Sequence, residues 1–168
     1  MPNLTPKNKE IKKYSGSMIL GLNDALVELT GALAGLTFAL QNNKIIVVTG
    51  LIIGIAASLS MAASEYLSSK EEKHKKPLKS ATYTGIAYLI TVLLLISPYF
   101  LISNIYTALI SMLIIAILII AFYNLYMAKI KNLKFWPKFT QMLIISLTVA
   151  LISFLVGYLI RIYVGVEV

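Results

Sequence analysis

Five long apolar runs, separated by short polar or basic segments, are the feature that most constrains this chain. The hydrocarbon core of a bilayer is about 30 Å thick, and a helix of roughly 20 apolar residues crosses it. A helix also pairs the backbone polar groups within one run, whereas an open sheet would leave some of them unpaired in lipid. The sequence therefore predicts an all-α integral membrane protein with five transmembrane helices. The predicted spans cover residues 17–40, 45–68, 80–97, 104–128 and 139–163.

These spans form one predicted membrane domain, residues 17–168, preceded by a basic segment at residues 1–16. Charged residues make up 13% of the chain, whereas soluble domains carry about a quarter. Pro98 should bend or end the third helix, because proline has no backbone N–H. The absence of cysteine excludes disulfides and thiolate metal sites. No span or loop places a base within reach of a nucleophile, so we expect neither enzymatic activity nor a bound cofactor.

The basic residues indicate the orientation in the membrane. All 15 except Lys44 and Arg161 lie before span one, between spans two and three, or between spans four and five. Cytosolic loops carry an excess of lysine and arginine, so the N-terminus should be cytosolic and the C-terminus outside or lumenal. Trp136 fits an interfacial anchor, and His74, in a solvated loop, is not expected to be a ligand. The net charge of +8 thus indicates topology and a modest attraction to anionic lipid, not nucleic-acid binding.

Three of the seven acidic residues fall inside apolar spans, namely Asp24, Glu28 and Glu65. A charge within a membrane helix costs at least about 2.5–3.5 kcal/mol on insertion scales, so such residues usually face an interior site. Asp24 and Glu28 are four residues apart and share one helix face. Gly31 and Gly35 continue that stripe, which predicts close contact with another helix.

On span two, Met61 and Glu65 are also four residues apart. The small residues Gly50, Gly54, Ser58 and Ala62 run beside them. Because spans one and two are antiparallel, Asp24 and Glu65 should lie in the cytosolic half, with Glu28 and Met61 about one turn deeper. The three acids and Met61 should then form one pocket or ladder if the two faces meet. Hard oxygens with one soft sulfur suit a borderline divalent ion such as Fe²⁺. Carboxylates in a poorly solvated site favour the protonated form, so an entering metal would release protons.

Other interpretations of the same residues remain open. Glu65 could snorkel towards the interface or bond a neighbouring helix, and Met61 could be ordinary packing. Asp24 and Glu28 could serve only to hold helices together.

The segments around these residues resemble the vacuolar iron transporter family, which moves ferrous iron, and often manganese, from the cytosol into vacuoles or out of the cell. The resemblance rests on residues 21–24 (GLND), 31–36 (GALAGL) and 60–68 (SMAASEYLS). It implies a five-helix dimer whose ion path lies at the subunit interface. It also implies that Asp24 and Met61 line that path.

The chain departs from the family pattern at two places. The family's long glutamate-rich insertion between spans two and three, which collects iron, is replaced here by a short segment that is mostly lysine. A further acidic position, about two turns before the methionine, is occupied by Ile53. Glu28 and Glu65 are candidates to supply the missing oxygens.

We therefore predict a multi-pass transporter that exports Fe²⁺, or Mn²⁺, from the cytosol in exchange for protons. Its metal ligands would be Asp24, Glu28, Met61 and Glu65. It would work as a homodimer through spans one and two, in the cell membrane of a prokaryote or the vacuolar membrane of a eukaryote. The alternatives are a transporter of Co²⁺, Ni²⁺ or Zn²⁺, and a non-transporting membrane scaffold whose buried acids stabilise helix association.

Overall fold

A computed structural model describes residues 6–74, 76–131 and 134–164 of the chain. Within these ranges the chain forms five α-helices and no strand. They are α1 (Pro6–Leu40), α2 (Asn43–Glu71), α3 (Pro77–Leu101), α4 (Ile105–Lys131) and α5 (Phe135–Val164). Each contains a segment that is long and apolar enough to cross a membrane. The predicted fold class, an all-α membrane protein with five transmembrane helices, is confirmed.

Parts of the predicted terminal segments lie outside the described residues. These parts are residues 1–5 of the basic segment and residues 165–168, which bear the predicted outer C-terminus. Residues 6–16 of the basic segment continue the first helix rather than preceding it.

The turn between α1 and α2 is short because two residues stop one helix and start the next. Gln41 adopts a positive φ of 50°, a conformation that cannot continue a right-handed helix. The Asn42 side chain then accepts hydrogen bonds from the backbone N–H groups of Lys44 and Ile45, at 3.0 and 3.2 Å. An asparagine at this position satisfies free donors at the start of a helix. The first two membrane helices are therefore antiparallel neighbours.

Helix α3 passes through Pro98 and ends at Leu101, four residues beyond the predicted end of the third span. Pro98 cannot donate to the carbonyl of Leu94, but the Ser97 hydroxyl donates to that carbonyl instead, at 2.8 Å. The Ile102 N–H then bonds the carbonyl of Pro98 at 2.9 Å. Since the lost hydrogen bond is replaced, the proline so near the helix end does not break the helix.

Helix α1 lies at the centre of the bundle and contacts each of the other four helices. Its fully buried Leu26, Leu29 and Leu33 join Tyr88 and Val92 of α3 in the apolar core. The small residues of α2 pack chiefly against α3, since a methyl group added at Gly54 would collide with Val92. Small residues permit this close approach. The small-residue stripe of span two therefore contacts span three.

The glycines of span one face another helix of the same chain. A methyl group added at Gly31 would lie 2.9 Å from Ser153 Oγ, and one at Gly35 would lie 2.9 Å from the Ser153 carbonyl oxygen. Gly157 of α5 in turn packs against the backbone of Gly35. The close neighbour that this glycine stripe predicts is thus α5 of the same chain. The spacing predicts a close neighbour, but it does not identify which helix fills that place.

The segments rich in lysine gather at one end of the bundle. Residues from the start of α1, the end of α2 and the starts of α3 and α5 line a single cavity there, among them Lys13, His74, Ser80 and Lys138. We call this the lysine-rich end. Lys44 lines a cavity at the opposite end, with the α1–α2 and α3–α4 turns.

Candidate metal-ion site

Asp24 and Glu28 lie on one face of α1, as their spacing predicts, and α3 supplies a partner that the sequence did not reveal. The hydroxyl of Tyr88 donates a hydrogen bond to Glu28 Oε2 at 2.7 Å. Tyr88 is completely buried, Asp24 is partly buried and Glu28 is exposed in the single chain. Asp24 interacts electrostatically with both Glu28 and Tyr88. Two carboxylates and a phenol thus form one polar group within the bundle.

Glu65 occupies a separate position, closer to the lysine-rich end. Its Oε1 accepts hydrogen bonds from the Ser17 hydroxyl of α1 at 2.8 Å and from the Ser69 hydroxyl of its own helix at 3.1 Å. The Ser17 carbonyl accepts a further bond from the Thr84 hydroxyl of α3 at 2.9 Å. Glu65 therefore bonds a neighbouring helix, which is one of the two roles left open for it.

The three membrane carboxylates form a ladder along α1 rather than one pocket. Glu65 lies at the level of Ser17, and Asp24 is seven residues further along α1, or about 10 Å at the usual helical rise. Glu28 is one turn deeper again. Among the described residues, no group of three or more His, Cys, Asp and Glu side chains is placed to hold one metal ion. Within a single chain, a metal ion could therefore contact only one or two of these carboxylates at a time.

Met61 lies one turn before Glu65 on α2. It is partly buried and packs against the apolar core, as expected of a methionine that fills space between helices. Gly50, Gly54 and Ala62, which flank it, contact residues of the core or of α3.

Tyr88, Ser17 and Asn23 belong to this polar region, although sequence reasoning did not select them. The Asn23 side-chain oxygen is buried and has no hydrogen-bond partner among the described residues, and Asn23 directly precedes Asp24 in the chain. Hydroxyl residues are common within these spans, so neither Tyr88 nor Ser17 gave a signal by composition. Asn23 was visible as part of the GLND segment, but its unpaired oxygen follows only from the packing.

Each end of the bundle contains a cavity that polar side chains help to line. At the lysine-rich end, Ser17, Asn23 and Glu65 line a cavity of about 610 Å³. At the opposite end, Asn43 and Gln41 line one of about 740 Å³. The Asn43 side-chain oxygen is buried there, with no hydrogen-bond partner in the part of the chain that the structure describes. The carboxylate ladder begins at the first cavity and extends towards the middle of α1.

Comparison with known proteins identifies a family. The sequence model of the VIT family, the vacuolar iron transporters, matches residues 16–75 and 70–158. The matched region includes all or most of each of the five helices and every candidate metal residue. A comparison with curated protein sequences gave no significant match.

Proposed function

The chain belongs to the vacuolar iron transporter family, and on this premise we propose that it exports Fe²⁺ or Mn²⁺ from the cytosol in exchange for protons, as a homodimer. Membership of the family implies transport of iron or another divalent metal across a membrane. The choice of ion, the direction, the proton exchange and the dimer are the parts that we add.

The observation that carries the proposal is the exposure of Glu28. This residue lies near the middle of Lys13–Leu40, the segment of α1 that is apolar enough to cross a membrane, yet its side chain is exposed in the single chain. A charged group at such a depth is costly and normally faces an interior site or a water-filled cavity. Another surface should therefore cover Glu28 in the membrane.

A second copy of the chain is the surface that we propose. Two copies in the same orientation can pair about a two-fold axis along the membrane normal, and each residue is then present twice. Two Asp24 and two Glu28 side chains would give four carboxylates along one path. Since α5 covers Gly31 and Gly35, the proposed contact lies in the half of α1 nearer the lysine-rich end, with the exposed face of α2 beside it.

The carboxylate ladder supports stepwise passage of a cation. Glu65 would meet the ion first, at the predicted cytosolic end, and Asp24 and Glu28 would follow deeper in the membrane. Carboxylate oxygens suit Mn²⁺, and the additional thioether of Met61 would favour the softer Fe²⁺. Each carboxylate that takes up the metal releases any proton it held, so cation entry and proton movement are coupled at the same oxygens.

A non-transporting scaffold is the second candidate, because two of the acids bond neighbouring helices. Glu28 accepts from Tyr88 of α3, and Glu65 accepts from Ser17 of α1. Hydrogen bonds of this kind between membrane helices contribute about 0.6 kcal/mol each on average, with a maximum near 1.7. Such bonds alone would explain the acids without any metal. A transporter of Co²⁺, Ni²⁺ or Zn²⁺ remains the alternative within the first class.

The test is metal uptake by purified protein in liposomes, for Fe²⁺, Mn²⁺ and Co²⁺, with and without a pH gradient. We expect Asp24→Asn to abolish most of the uptake, because a neutral amide attracts a divalent cation much less than a carboxylate does. Glu71→Gln is the matched control, since it removes one acid at the exposed end of α2. It should leave uptake unchanged.

Each outcome separates the candidates. Uptake that the pH gradient drives and that Asp24→Asn abolishes supports the proposal, and the ratio among the three ions identifies the cargo. Absence of uptake, together with a melting temperature that no divalent metal raises, would establish the scaffold instead. Wild-type uptake in the Asp24→Asn/Glu28→Gln double variant would show that the path runs elsewhere.

A further inference from the structure

The cavity at the lysine-rich end has a basic mouth and an apolar interior. Lys13 of α1 and Lys138 of α5 are both exposed and border it from opposite helices, with His74 near the end of α2. The apolar side chains that line it include Ile19 and Leu20 of α1 and Met142 and Ile145 of α5. Its volume is about 610 Å³.

The charge at the mouth of this cavity, where the two lysines lie, favours an anion over a cation. Neither Lys13 nor Lys138 takes part in an ion pair with any side chain that the structure describes. Lys13 Nζ lies 5.4 Å from the centre of the Tyr14 ring, and His74 is 3.2 Å from Glu72. Among the described residues, Glu65 is the one acid that lines the cavity, and its Oε1 already accepts two hydrogen bonds. Two lysines without an ion pair among the described side chains would therefore attract a negatively charged group at the mouth.

Aromatic side chains at the start of α5 indicate the depth of the cavity mouth. The rings of Phe135, Trp136 and Phe139 contact one another, and Trp136 is 69% exposed. Tryptophan with such exposure typically lies at the headgroup level of a bilayer. Lys138 follows Trp136 by two residues, so its ammonium group lies within reach of lipid phosphates.

The apolar interior of the cavity is continuous with the surface that faces the hydrocarbon chains. Leu20 is 43% exposed and Ile145 is 41% exposed, although both line the cavity. A ligand in this position would meet positive charge at one end and hydrocarbon at the other. This is the chemistry of an amphiphile with an anionic head.

We propose that this cavity binds one anionic phospholipid. Its phosphate lies between Lys13 and Lys138, its polar glycerol region meets Gln141, and the first part of an acyl chain follows Leu20 and Ile145. Basic pockets between helices on the cytosolic side of membrane proteins bind such headgroups. None of the proposed lipid contacts is Asp24, Glu28 or Glu65, so the inference does not depend on which ion is transported.

The test is native mass spectrometry of the full chain after incubation with phosphatidylglycerol or phosphatidylcholine vesicles. We expect phosphatidylglycerol to remain bound and phosphatidylcholine to be lost. In the Lys13→Gln/Lys138→Gln variant, phosphatidylglycerol should bind about 25-fold more weakly, since each lysine near an anionic surface contributes roughly fivefold. Lys70→Gln/Lys134→Gln is the matched control, because it removes two exposed basic residues that do not line the cavity. Its binding should be unchanged.

Further measurements distinguish a lipid headgroup from a soluble anion, and a lipid site from an entrance for cations. Glycerol phosphate, which has the same charged group without acyl chains, should not displace the lipid at equal concentration. Displacement by glycerol phosphate would overturn the proposal in favour of a soluble anion. If lipid binding weakens equally in both double variants, the effect is one of general surface charge and the proposal is overturned. Unchanged lipid binding in Lys13→Gln/Lys138→Gln, with tighter binding of Mn²⁺, would show that the cavity is a cation entrance. If the double variant is unstable, each single lysine variant should show about a fivefold effect.

Discussion

Removal of the Tyr88 hydroxyl tests the contact between α3 and the acids of α1 most directly. Tyr88→Phe keeps the buried ring but deletes the donor that reaches Glu28 Oε2 at 2.7 Å. Hydrogen bonds to charged groups contribute about 1.5–3 kcal/mol in soluble proteins, whereas those between membrane helices reach at most about 1.7. The donor is fully buried and the acceptor is a carboxylate, so we expect a loss of about 1–2 kcal/mol in the free energy of unfolding.

Two other tyrosines provide matched controls. Tyr99 shares a hydrogen bond with the neutral hydroxyl of Thr37 at 2.8 Å, and Tyr123 donates to the carbonyl of Ser15 at a long 3.4 Å. All three tyrosines are buried, so substitution by phenylalanine changes only the hydroxyl. The loss in the free energy of unfolding should be largest for Tyr88→Phe, smaller for Tyr99→Phe and smallest for Tyr123→Phe. Tyr88 bonds a carboxylate, Tyr99 bonds a neutral hydroxyl, and the bond of Tyr123 to a neutral carbonyl is the longest of the three.

The assay is reversible unfolding in bicelles, combined with a double-mutant cycle between Tyr88→Phe and Glu28→Gln. A direct bond predicts a coupling energy of about 1 kcal/mol, since residues in contact are not additive. Additivity of the two losses within about 0.5 kcal/mol would refute the contact. A loss for Tyr99→Phe as large as that for Tyr88→Phe would show that the charge of Glu28 contributes nothing.

Three further changes test other contacts. Gly54→Ala should destabilise the protein by about 1–3 kcal/mol through overpacking, and adding Val92→Ala should recover part of that loss. If thermal unfolding shows that the double variant loses the sum of the two single losses, the close contact of α2 and α3 is contradicted. Ser17→Ala should cost about 1 kcal/mol by removing a donor to Glu65, and an unchanged melting temperature would show that the bond does not form. Met61→Leu keeps the volume but removes the sulfur, so liposome uptake of Fe²⁺ relative to Mn²⁺ should fall; an unchanged ratio would make Met61 a packing residue only.

The helices and their membrane character were predictable because both follow from local properties of the chain. The length and apolarity of each run decide whether it can cross a bilayer, and the helical repeat places Asp24 and Glu28 on one face. The end of α3 was less predictable, because Ser97 replaces the hydrogen bond that Pro98 cannot make. That compensation depends on one side-chain rotamer, which no periodic pattern reveals.

The partners of the candidate site residues could not be predicted with the same success. Spacing alone left it open whether the acids of the first two spans meet in one pocket or form a ladder. The structure separates Glu65 from Asp24, because Glu65 bonds Ser17 near the lysine-rich end. The glycines at positions 31 and 35 likewise indicated close packing, but α5 of the same chain fills that place.

The sequence by itself determined five membrane helices, the grouping of basic residues between them and the presence of three costly acids inside the spans. These properties depend on the transfer of each segment from water to lipid, which is nearly independent of its neighbours. The tertiary structure decided that Tyr88 meets Glu28, that Ser17 meets Glu65 and that Lys13 of α1 and Lys138 of α5 line the same cavity. These contacts depend on how five similar apolar surfaces pack together. Because lipid tails are as apolar as the helices, small differences in shape and hydrogen bonding select the partners, and residue spacing along a single helix does not contain those differences.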